Sequence, residues 1–90
     1  MKTKSIWKYQ LLIKNTQKIE MPKNSEILCV QVQHNIPCIW VMVNLEEQSR
    51  EFRTFIMHGT GHQFKNNGYT YIGTYQIEEG LLIFHLFEKI

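Results

Sequence analysis

His58-Gly59-Thr60-Gly61-His62 gathers more reactive and backbone-exposing groups than any other stretch of the chain. Two imidazoles bracket two glycines and a threonine hydroxyl. Imidazole changes charge near neutral pH, so it can act as a general base, a proton carrier or a metal ligand. Glycines let backbone amides turn toward an anion. His85 adds a third imidazole, and Tyr69 and Tyr71 supply aromatic faces for stacking. The ligand these eight residues suit is small and nucleotide-like.

Several sharper chemistries do not fit. A P-loop needs a Lys-Ser/Thr pair and a following helix, and neither is present. A dinucleotide fingerprint needs a third glycine that opens a helix. A His-x-x-x-His metal pair needs a helix to align its rings, and here glycines break the segment. Cys29, Cys38 and His34 have no metal-ligand spacing. A hydrolase built on His58 or His62, with Thr60 as nucleophile or orienter, needs a positioned third group. No carboxylate occurs from Arg53 to Ile77. No catalytic residue, metal or cofactor is therefore assigned.

The elements that must hold these residues are strands. Residues 6–11 alternate, placing Trp7, Tyr9, Leu11 and Ile13 on one face and Lys8 and Gln10 on the other; period two over this length predicts a half-buried strand. Residues 18–21 form a short strand that Pro22 stops. Proline has no backbone donor, so this strand belongs at an edge. Residues 27–33 and 36–43 flank His34-Asn35, a two-residue connection that needs positive φ at both positions. That register sets Val32 against Pro37, Gln31 against Cys38 and Cys29 against Trp40. It places Leu28, Val30 and Val32 in the core with Val41, Ile39 and Pro37. The cysteines become diagonal neighbours, too far apart for a relaxed disulfide.

Residues 44–50 are polar, with room for a short helical turn. Residues 51–57 are extended, and Lys65-Asn66-Asn67-Gly68 is a turn. Residues 69–77 and 81–87 form a hairpin around Glu78-Glu79-Gly80. Its pairing puts Tyr71, Tyr75 and Ile77 beside Leu82, Phe84 and Leu86, and Thr74 opposite His85. The last strand is apolar on both faces except at His85, which predicts a central position. The fold class is all-β: a single small domain over residues 1–90, with six or seven mainly antiparallel strands in a sandwich or partly open barrel.

The outward side of the 27–43 hairpin carries Trp40, Met42, Cys29 and Ile27, with Gln31 and Gln33 between them. Left uncovered, it is a partner surface, because Trp and Met are enriched at such patches. Gln31, Gln33, Trp40 and Met42 are its candidate contacts.

Composition bounds the rest. Hydrophobic residues make up 43% of the 90, enough for one modest core. Ten basic and eight acidic side chains leave a formal charge of +2. The N-terminal series Lys2, Lys4, Lys8, Lys14 and Lys18 reads as a solvated face, which argues against nucleic acid as its partner. No apolar run approaches the roughly 20 residues that span a bilayer, and no secretory signal is seen. The expectation is a soluble, cytoplasmic protein with reduced thiols. An exposed strand edge would let two copies pair as a homodimer.

Several of these segments resemble a family of small, uncharacterised proteins of bacteriophages and prophages. They are Ile6-Trp7-Lys8-Tyr9, Glu20-Met21-Pro22, residues 27–33, Pro37-Cys38-Ile39-Trp40, Gly59-Thr60-Gly61-His62, Tyr71-Ile72-Gly73-Thr74-Tyr75-Gln76 and Phe84-His85-Leu86-Phe87-Glu88. The similarity covers nearly the whole chain. The family usually has Asn-Gly at the hairpin tip where this chain has His34-Asn35. The resemblance implies an accessory phage product acting inside a bacterial cell, with a host protein as its partner.

Overall fold

The structure, a computed structural model, describes residues 3–90, so Lys2 of the basic series lies outside it. Seven strands and no helix form among the described residues. They are β1 (Lys4–Gln10), β2 (Thr16–Pro22), β3 (Glu26–Gln33), β4 (Ile36–Asn44), β5 (Arg50–Gly59), β6 (Tyr69–Ile77) and β7 (Leu82–Lys89). All pairings are antiparallel, in two open sheets ordered β1-β4-β3 and β2-β5-β7-β6. The fold is the expected all-β type, as two stacked sheets and not a closed barrel. Among the described residues, no helix is long and apolar enough to cross a membrane.

Parity builds the core. On β4, Pro37, Ile39, Val41 and Val43 all face inward and are fully buried. They meet Met21, Phe55, Met57, Tyr75, Ile77 and Leu86 of the opposite sheet. Each such side chain contributes about 1.5–3 kcal/mol on burial. The Tyr75 hydroxyl donates to the Met57 sulfur, and burial pushes its pKa up to about 12. β2, with Pro22, is an edge strand and β7 is central, as the sequence pattern requires.

The β3–β4 hairpin turns through His34 and Asn35 at φ 52° and 63°, in the expected register from Gln33–Ile36 to Cys29–Trp40. Both cysteines are free. Cys38 shares the outward parity of Trp40 and Met42 on β4, yet it is buried. Lys8 Nζ donates to Gln33 Oε1 at 2.6 Å, joining β1 to β3 diagonally across β4, from the level of Trp40 to that of Ile36.

Two bulges break the expected parity. One falls between Ile27 and Cys29, so Ile27 faces Val41 and Leu28 is 40% exposed instead of buried. The other falls between Tyr71 and Gly73, so Tyr71 pairs with Phe87 on the outer face instead of joining Leu86 inside. An extra residue in one strand flips every side chain beyond it. Ile13 is also outside, because β1 ends at Gln10 and the chain then crosses between sheets.

The two bulged strands approach each other at one side of the sandwich. A Cβ on Gly73 would lie 2.7 Å from Val30 Cγ1, so only glycine lets β6 come this close. Gly73→Ala should destabilise the fold by about 1–3 kcal/mol in urea unfolding. In a Val30→Ala background most of that penalty should vanish; strictly additive effects would contradict the contact.

Candidate functional site

The site follows from a topological demand. β5 and β6 lie on either side of β7, and each is antiparallel to it, so they run in the same direction. β5 ends with Gly59 beside Phe84, whereas β6 begins with Tyr69 beside Lys89. Residues 60–68 must therefore travel back along β7, a distance of roughly 17 Å at strand rise.

They do so across the outer face of the four-stranded sheet, as a strap. It starts in a turn in which His62 N donates to Gly59 O at 3.2 Å, with Gly61 at φ 87°. That sign at the third turn position is why a glycine stands there. Phe64 seats the strap. Its ring stacks on His58 at 3.9 Å and 10°, and lies 5.3 Å from Phe87. Tyr71 approaches Phe87 from the other side, at 5.5 Å. Phe87 is consequently buried although it points away from the core.

Beside this aromatic group runs a polar line. His58, His85 and Thr74 share one register across β5, β7 and β6. Thr60 Oγ1 lies 2.8 Å from His85 Nε2, His85 Nδ1 lies 2.8 Å from Thr74 Oγ1, and Thr74 Oγ1 lies 2.6 Å from the Tyr71 hydroxyl. Every member can both donate and accept once His85 is neutral, so protons can be ordered along the line in either direction.

Of the expected ligand residues, the structure brings His58, Thr60, Tyr71 and His85 together. Gly59 and Gly61 shape the turn. His62 folds back over Gly59, with its Cε1 2.9 Å from where a Cβ would stand, and its side chain takes no part in the hydrogen bonds of the line. Tyr69 sits two residues from Tyr71, opposite Lys89. Sequence reasoning gave Phe64 no part in the site. The available signal was a lone aromatic at 64 within an otherwise polar connection.

The chemistry of the line is that of neutral hydrogen bonding. Thr60 and His85 form a nucleophile–base contact, but the second imidazole nitrogen meets a hydroxyl. Activated nucleophiles ordinarily have a carboxylate there to stabilise the imidazolium. Among the described residues, no three His, Cys, Asp or Glu side chains converge to hold a metal.

The Trp40 surface lies on the opposite side of the molecule. Trp40 and Met42 point outward from the central strand β4, flanked by Ile6 and Lys8 on β1 and by Cys29, Gln31 and Gln33 on β3. Ile6 is 57% exposed, so no second layer among the described residues covers this side.

A cleft of about 780 Å³ at one end of the sandwich is lined by Ser25, Arg53, Thr70, Glu88 and Lys89, among others. Its floor is committed. Arg53 grips both Glu88 oxygens through Nε and Nη2, and its Nη1 donates to Ser25 O at 2.7 Å. This ion pair, also missed in the sequence, ties the β2–β3 crossing to the other sheet.

Burial beneath Phe64 holds the His58 pKa below 6.5, and the nearby His62 and His85 reinforce the shift. The unfolded chain therefore binds more protons than the fold does, and stability from this group falls as pH drops below about 6.5. NMR titration should give His58 a midpoint below 6.5 that rises in Phe64→Ala. A midpoint at or above 6.5 in the native chain would contradict the seat.

No curated protein and no solved structure matches the chain. A family model described as a domain of unknown function, DUF7352, matches residues 2–90, and the chain belongs to that family.

Proposed function

We propose that this chain is a non-enzymatic accessory protein of a phage or prophage, acting in the cytoplasm of the bacterial host. It binds a host protein and inhibits a bacterial process such as antiviral defence. The observation that carries the reading is the uncovered outer face of the β1-β4-β3 sheet. A tryptophan and a methionine sit on its central strand, among exposed aliphatic and glutamine side chains. Interfaces favour such groups at their centre, with polar groups at the rim. The motif resemblance to small phage proteins supplies the setting. The line at His85 supports binding over catalysis, because hydroxyls and not carboxylates meet the imidazole.

Tagged protein should capture a host protein from bacterial lysate in stoichiometric amount. Trp40→Ala, shown to be folded by its NMR spectrum, should weaken that capture by about 2 kcal/mol, roughly thirtyfold in affinity. Repeated failure to capture any partner above background would overturn the reading. So would equal capture by the variant.

A further inference from the structure

The outer face of the second sheet carries a separate site. Phe64 and Tyr71 flank Phe87 from the β5 and β6 sides. Phe64 has one ring face on His58 and remains 43% exposed, while Tyr71 is 56% exposed. Exposed aromatic faces held at fixed positions stack planar rings. Alongside them, the Thr60–His85–Thr74 line offers donors and acceptors that suit the polar edge of such a ring or the hydroxyls of a sugar.

Charge narrows the ligand. Lys65 follows Phe64 in the strap, and no carboxylate occurs between Arg53 and Ile77. Two carboxylates that border the face are engaged elsewhere: Glu88 faces inward in its pair with Arg53, and Glu78 bonds Asn35 at the hairpin tips. A neutral sugar is commonly held by carboxylates that accept from its hydroxyls. This face instead suits a planar ligand that carries negative charge.

We propose that this face binds a nucleotide, its base continuing the His58–Phe64 stack on the open face of Phe64. The phosphate lies toward Lys65, and the base edge or ribose meets Thr60, His85 and Thr74. The site is independent of the Trp40 surface, and either can stand without the other. A free mononucleotide and an unpaired nucleotide in a single strand present the same chemistry.

The test is titration of the full chain, followed by amide NMR shifts, with AMP, UMP, a ten-nucleotide oligouridylate, ribose 5-phosphate and inorganic phosphate. Saturable shifts at residues 58, 60, 64, 71 and 85 with a base-bearing probe are expected. Tighter binding of AMP or UMP points to a free nucleotide, and tighter binding of the oligomer points to a strand. Phe64→Leu keeps an apolar contact with Phe87 but removes the stacking ring, and should weaken binding roughly tenfold. Phe52→Ala, an exposed aromatic elsewhere on the same sheet, should bind as the native chain does. The proposal is overturned by no saturable shift with any base-bearing probe at millimolar concentration. Equal binding of ribose 5-phosphate or phosphate overturns it too, as does undiminished binding by a folded Phe64→Leu.

Discussion

The shared direction of β5 and β6 on either side of β7 governs the molecule. Two parallel strands separated by a third cannot be joined by a tight turn. In larger proteins a helix usually makes that return. Here nine residues make it, too few for a helix and its two connections, so the return is a strap laid on the sheet. A strap needs an anchor, and Phe64 is the aromatic side chain it has. The seat of Phe64 on His58 and Phe87 draws an outward phenylalanine out of water and removes solvent from an imidazole. It also leaves His85 at the edge of the covered area, where threonine hydroxyls can reach both of its nitrogens.

The two sheets are held in register by contacts at both ends. At one end Asn35 and Glu78 exchange two hydrogen bonds between hairpin tips of opposite sheets: Asn35 Nδ2 donates to Glu78 Oε1 at 2.9 Å, and Glu78 N donates to Asn35 Oδ1 at 2.7 Å. Glu78 holds a positive φ of 53° there, a strained conformation that these bonds offset. At the other end Arg53 joins Glu88 to the backbone of Ser25. Bulges on β3 and β6, and Pro22 on β2, disrupt three of the four sheet edges, which discourages pairing with other chains. What remains presented to partners is the β1 edge and the two outer faces, and the chemistries of the faces differ: one is aliphatic with tryptophan and glutamine, the other aromatic with imidazole and hydroxyl.

Alternation and turn chemistry made much of this legible. The His34-Asn35 tip set its register correctly because a mis-set tip would have put Pro37 where an amide donor is needed. Thr74 met His85 for the same reason of simple counting from a turn. Leu28 and Tyr71 escaped the pattern because nothing local marks a bulge; both bulges lie beside the close approach of Val30 to Gly73, which joins strands of different sheets. Phe64 was passed over because its role depends on strand order, which no single strand's pattern encodes. Arg53 and Glu88 lie 35 residues apart, and their pairing exists only once β5 and β7 are neighbours.

The seat of the strap is the claim on which the second face rests, and nuclear Overhauser spectroscopy reads it directly. Ring protons of Phe64 should show cross-peaks to the imidazole protons of His58 and to the ring of Phe87, with the His58 protons shifted upfield by the stacked ring. Cross-peaks from Phe64 to its chain neighbours alone, with His58 at ordinary shifts, would show the strap lifted from the sheet and contradict the account.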